Sequence, residues 1–167
     1  MAADFKALSK FDQGALVAGA VAILFSFFDA FVTASVKGSG DFAVNTSAGR
    51  NAWYSFATLG ILLVIVAVVV VAVKAFAAQN LPDGVPWRLV ALATAALGTI
   101  LLVLRPLTEG GDVPSGMGVD VSVGPGWSGY IVWIAAIALT VFTALSFKDS
   151  GEKLPEVNKK SDPPAAS

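Results

Sequence analysis

The chain has 167 residues, of which 56 % are hydrophobic and 14 % charged, with a net charge of −1 and neither cysteine nor histidine. Soluble domains carry about a quarter charged residues, so an ordinary water-soluble fold is disfavoured, and a near-neutral balance without a basic stripe leaves no footprint for nucleic acid. The missing Cys and His remove thiol chemistry, disulfides, c-type haem attachment, most zinc and copper sites and the commonest general base.

Residues 1–13, MAADFKALSKFDQ, place Phe5, Leu8 and Phe11 at helical spacing and read as a short amphipathic lead-in. The first apolar run, GALVAGAVAILFSFFDAFVTASV, covers 14–36. It exceeds the about 7 to 15 residues of a signal-peptide core, and Asp4 and Asp12 dilute the basic character before it, so it is expected to remain as a membrane span. Gly14, Ala18, Ala22, Ser26, Ala30 and Ala34 recur every fourth position. On a helix that spacing makes a ridge of small residues, which in lipid lets a second helix approach closely. Asp29 is the only acid inside any long apolar run.

The loop that follows reads KGSGDFAVNTSAGRNA, and its alternating DFAVNT after FVTASV and a Gly-Ser-Gly turn suits either a hairpin or a flexible polar loop. The second run, 53–76, contains ILLVIVAVVVVAV. Such β-branched density favours strands in water, but more than 18 uninterrupted apolar residues predict a helix in lipid. LPDGVPW is a tight turn, with Pro86 suited to the first turn of the third span, 87–105. A second Gly- and Pro-rich loop follows Arg105-Pro106, and its VDVSV stretch alternates as a third strand would. The fourth span, 127–147, carries Ala136, Thr140 and Ala144 at four-residue spacing. Residues 148–167 are charged, Pro-bearing and without aromatics, and are expected to be a disordered cytoplasmic tail.

Lys6, Lys10, Lys74, Arg88, Lys148, Lys153, Lys159 and Lys160 fall on one side of such an arrangement, and Lys37, Arg50 and Arg105 on the other. The excess of Lys and Arg places both termini in the cytoplasm. Trp53, Tyr54, Trp127 and Tyr130 then gather at the outer interface and Trp87 at the inner one. The expected fold class is an all-α membrane protein. Residues 1–147 would form four transmembrane helices in an antiparallel bundle, with FVTASV, FAVNTS and VDVSV of the two outer loops offering a small β-ribbon.

The order FKALSKFDQGALVAG, FSFFDAF, LPDGVPW and PGWSGYIVW, over about residues 5 to 147, resembles a group of small four-span integral membrane proteins of actinobacteria. Where that group often carries a Leu-Pro-Trp at the outer end of the first span, this chain has Phe28-Asp29-Ala30-Phe31. The resemblance implies fold and topology and carries no functional residue onto this chain.

An acid within a span is costly and marks a candidate functional site. Asp29 lies toward the outer end, where it is either a structural acid satisfied by water, loop amides or Arg105, or part of an ion path. Few further polar groups are available for a path, which favours the structural role, and the pair Asp29–Arg105 is the site expectation. Glu109, Asp112 and Asp120 supply oxygens that a calcium ion would accept, but their spacing matches no EF-hand and favours a solvated loop. No phosphate loop, nucleophilic Ser motif or metalloprotease helix is present, so neither an enzyme nor a cofactor is expected. Two classes remain: a structural or accessory membrane protein acting by helix packing, and an oligomeric channel or transporter element with Asp29 near the path. The partners implied are the lipid bilayer and other membrane proteins or further copies of the chain, with no identifiable small-molecule substrate.

Overall fold

The computed structural model describes residues 5–38, 45–109 and 119–152, and within them four long helices and three strands. The helices are α1 (Lys10–Phe25), α2 (Phe56–Phe76), α3 (Trp87–Glu109) and α4 (Trp127–Ser150). The strands are β1 (Val32–Gly38), β2 (Asn45–Arg50) and β3 (Val119–Pro125). The tail expected to be disordered from 148 instead begins as the last turn of α4, through Ser150; its part beyond residue 152, and Asp112, lie outside the described residues.

α1 starts where the Ser9 hydroxyl accepts the Asp12 backbone N–H at 3.1 Å, an N-cap that satisfies one of the open donors of the first turn. It ends at Phe25, well short of the span expected over 14–36. Its 16 residues rise about 24 Å at 1.5 Å each, against about 30 Å of bilayer hydrocarbon. The second part of that apolar run is instead a pair of turns leading into β1. Val32-Thr33-Ala34-Ser35-Val36 is small and β-branched, fits a pleated surface well, and finds strands on both sides to satisfy its backbone. The first run is therefore half helix and half strand, and the expectation of four spanning helices reduces to three. Those long and apolar enough to cross a membrane are Phe56–Phe76, Trp87–Thr108 and Trp127–Ser150.

The four helices pack in a ring, α1 on α2 and α4, and α3 on α2 and α4. Trp53, just before α2, reaches Ser26 at the end of α1, while Arg88 at the start of α3 reaches Asp12 at the start of α1. Successive helices thus run in alternating directions. The centre of the ring is narrow because it is built largely from alanine, with Ala15, Ala22, Ala67, Ala95 and Ala136 fully buried around Leu139. α2 and α3 approach most closely at two glycines: a Cβ on Gly98 would stand 2.8 Å from the Gly60 carbonyl oxygen. Side chains facing outward are apolar. Leu59, Val66, Leu97, Ile100, Ile134 and Val141 are between 43 % and 69 % exposed, an arrangement that is costly in water and natural in lipid.

The strands form one antiparallel sheet in the order β2-β1-β3, so the ribbon expected from the two outer loops is present. Its second strand is NTSAGR, displaced from the expected FAVNTS; Phe42, Ala43 and Val44 lie outside the described residues. Alternation puts Val32, Ala34 and Val36 on one face with Ala48, Val121 and Val123, and Thr33, Ser35 and Lys37 on the other with Ser47 and Ser122. The sheet is tied to the helices through Phe31, whose N–H donates to Arg50 O at 3.0 Å and whose carbonyl accepts the Gly126 N–H at 3.1 Å.

Candidate functional site: two ion pairs across the ring

Asp29 stands exposed in the turn between α1 and β1, outside every helix. Arg105 is buried near the end of α3, with its guanidinium carbon 5.2 Å from the centres of both the Tyr54 and Phe56 rings. Among the described residues, ion pairs join Lys74 to Glu152 and Arg88 to Asp12, and none joins Asp29 to Arg105, so the expected pair is not brought together. Asp29 stays with the solvent, and Arg105 is held by aromatic faces, a favourable setting for a delocalised cation. Of the loop acids, Asp120 is exposed on β3 and Glu109 ends α3.

The small-residue ridge is also only partly realised. Gly14 meets the Phe142 ring, and Ala18, Ala22 and Ser26 are buried, but Ala30 is in a turn and Ala34 in β1. The buried stripe of α1 is Asp12, Ala15, Ala18, Gly19 and Ala22. It is a helical face that begins with an acid.

That acid is the centre of the polar site. Asp12 Oδ1 accepts the Ser146 hydroxyl at 2.6 Å and the Arg88 Nη1 at 3.2 Å, and Arg88 also donates to the Ser146 hydroxyl and, at 3.3 Å, to the Ser146 carbonyl. Asp12 and Ser146 are both at least nine-tenths buried. Beside them, the Glu152 carboxylate accepts from Lys74 Nζ at 2.9 Å and from the Arg88 backbone N–H at 3.1 Å. Gly151, in the left-handed conformation at φ 67°, ends α4 and lets the chain turn back for this contact.

These pairs join helices that are not neighbours in the ring. Arg88–Asp12 links α3 to α1, and Lys74–Glu152 links α2 to the second residue after α4. Both diagonals are braced at the end opposite the sheet, with Arg88 shared between them. Between the braces lies a cavity of ≈ 10 Å³ lined by Asp12, Lys74, Trp87, Arg88, Thr143 and Ser146 among others, room for about one water. The groups consume one another's hydrogen bonds, so the arrangement is suited to holding helices rather than to turning over a substrate.

None of Asp12, Lys74, Ser146 and Glu152 stood out as a site from sequence. The available signal was that Asp12 precedes Ala15, Ala18 and Ala22 by the spacing of one helical face, which predicts an acid pointing inward and in need of a cation.

The sheet end is aromatic. The Phe25 and Phe28 rings both meet Trp127 edge-on, at 6.1 and 5.4 Å, and Phe27 stacks on Trp53 at 5.2 Å. Trp53 donates its indole N–H to the Ser26 hydroxyl at 3.0 Å. Trp53, Tyr54, Trp127 and Tyr130 thus gather at one end of the ring, and Trp87 at the other. No protein-family model matches the chain, and no curated protein is detectably similar to it.

Proposed function

We propose that this is a multi-pass integral membrane protein of the cell membrane with a structural or accessory role, exerted through packing against lipid and other membrane components. The observation that carries the reading is the girdle of outward-facing apolar side chains around three helices of spanning length. α1, too short to span alone, enters the bilayer beside them in this reading, with the turn after it completing the crossing. Its start lies level with Arg88 and Ser146, and its end level with Trp53. In this reading both termini lie on the cytoplasmic side, as the excess of Lys and Arg there favours, and the β-sheet lies outside. Membership of the actinobacterial four-span group is part of the same proposal. A channel reading that sets Asp29 on a permeation path gains no support from the exposed turn in which that residue stands.

Because the chain contains no cysteine, single-cysteine labelling reads the topology directly. With an impermeant thiol reagent on intact cells, Ser47→Cys on β2 labels and Lys148→Cys on α4 does not; the reverse pattern overturns the orientation. The mass of the detergent-solubilised protein tests the role. A monomer, or a complex with unrelated membrane proteins, supports the accessory reading, and a defined homomeric ring overturns it in favour of a pore.

A further inference from the structure

The apolar face of the sheet is not flat. Val32, Ala34, Ala48, Gly49, Arg50 and Val123 line an open groove of ≈ 360 Å³. The groove lies in the half of the sheet nearest the helices, since Val32, Arg50 and Pro125 share the ladder rung that follows Phe31 and precedes α4. Its floor is small and apolar, and its one charged lining residue is Arg50, exposed at the end of β2.

Arg50 is held in position. Its guanidinium carbon lies 4.4 Å from the centre of the Tyr54 ring, and that of Arg105 lies 5.2 Å from the same ring. Arg50 therefore stands at the rim of the groove with its guanidinium stacked on a phenol, at the end of the molecule where Trp53, Trp127 and Tyr130 collect. Aromatic residues of this kind sit at headgroup level in a bilayer.

Resting on the membrane reading above, the geometry points to a binding site for an anionic phospholipid of the outer leaflet. The planar Arg50 fork suits the phosphodiester, which it can hold through paired hydrogen bonds. A guanidinium at the rim favours a headgroup with net negative charge over one whose choline cation it repels. The groove takes the glycerol and the upper part of an acyl chain, removing apolar surface from water. Charge complementarity selects the lipid, and the groove keeps it from exchanging as freely as the surrounding bilayer.

The test uses the full chain reconstituted in phosphatidylcholine vesicles, with and without phosphatidylglycerol, then released into detergent for native mass spectrometry. The expected result is one retained phosphatidylglycerol, in several-fold preference over phosphatidylcholine. Arg50→Gln lowers that retention about tenfold, the consequence of losing one charge-assisted contact, and Arg50→Lys lowers it less. Ala48→Phe, on the exposed edge strand where a larger side chain is readily accommodated, fills the groove and lowers retention with Arg50 intact. Circular dichroism confirms that each variant keeps its helices. Equal retention of the two lipids, or retention unchanged in both Arg50→Gln and Ala48→Phe, overturns the site. Displacement of the lipid by millimolar inorganic phosphate alone assigns the pocket to a soluble phosphate and overturns the lipid assignment. Failure of the protein to float with phosphatidylcholine vesicles overturns the membrane reading itself, a separate outcome.

Discussion

The indole N–H of Trp133 on α4 donates at 2.9 Å to the backbone carbonyl of Leu102 on α3. Leu102 is four residues before Pro106, which lies inside α3 and has no N–H to give that carbonyl. In hydrocarbon an unpaired carbonyl is costly, and Trp133 replaces the missing donor from a neighbouring helix. This explains how α3 passes through Pro106 to Glu109 where the sequence predicts a stop at Arg105.

Removing that donor has a specific signature. Trp133→Phe keeps most of the ring but loses the N–H, and is expected to cost about 1–3 kcal/mol, the penalty of a buried acceptor left unpaired. Pro106→Ala restores an N–H to the helix, so the same Trp133 change in that background costs clearly less. Thermal unfolding in detergent measures all four proteins. Equal costs in the two backgrounds would show that Trp133 contributes only packing.

The Gly60–Gly98 crossing predicts a steric asymmetry between glycines. Gly98→Ala forces a methyl against the Gly60 carbonyl and should destabilise by about 1–3 kcal/mol, the usual cost of overpacking. Gly124→Ala on β3, with nothing within 4 Å of the added carbon, should be close to neutral. Unfolding midpoints of the two variants settle the comparison.

The braces differ in burial and are expected to differ in strength. In Arg88–Asp12 the side chains are 23 % and 12 % exposed, and in Lys74–Glu152 31 % and 20 %. Asp12→Ala strands the Arg88 guanidinium and the Ser146 hydroxyl together, and a loss of about 2–4 kcal/mol is expected. The Asp12→Ala, Arg88→Ala double variant should be no worse than the poorer single one, since each removes the same interaction. Glu152→Gln should cost at most about 1 kcal/mol, as for other partly exposed pairs. Additive losses at Asp12 and Arg88 would count against the brace.

Asp29 and Arg105 supply the opposite expectation. Asp29→Asn, in an exposed turn, should change stability by no more than about 0.5 kcal/mol. Arg105→Gln gives up its contacts with Tyr54 and Phe56, worth about 0.5–2 kcal/mol. The two effects should add. A coupling between them in a double-mutant cycle would place them in contact after all.

The amino-acid sequence by itself determined the apolar character of the helices, the positions of α2, α3 and α4 to within a few residues, and the alternating pattern of VDVSV. Those properties are local: a long apolar run or an alternating one dictates its own backbone hydrogen bonding. The same chemistry was ambiguous in the first run, where helix and strand signals overlap between Phe25 and Val36. Only pairing with β2 and β3, from distant parts of the chain, decided for a strand there. The polar site was hidden for a related reason. Asp12 reads as an acid in a lead-in because its partners lie 76 and 134 residues away in sequence, and Asp29 reads as an intramembrane acid because the apolar run around it is long enough for a spanning helix. Which acid is buried depends on where α1 ends and which helices flank it, and that is set by the packing of the ring.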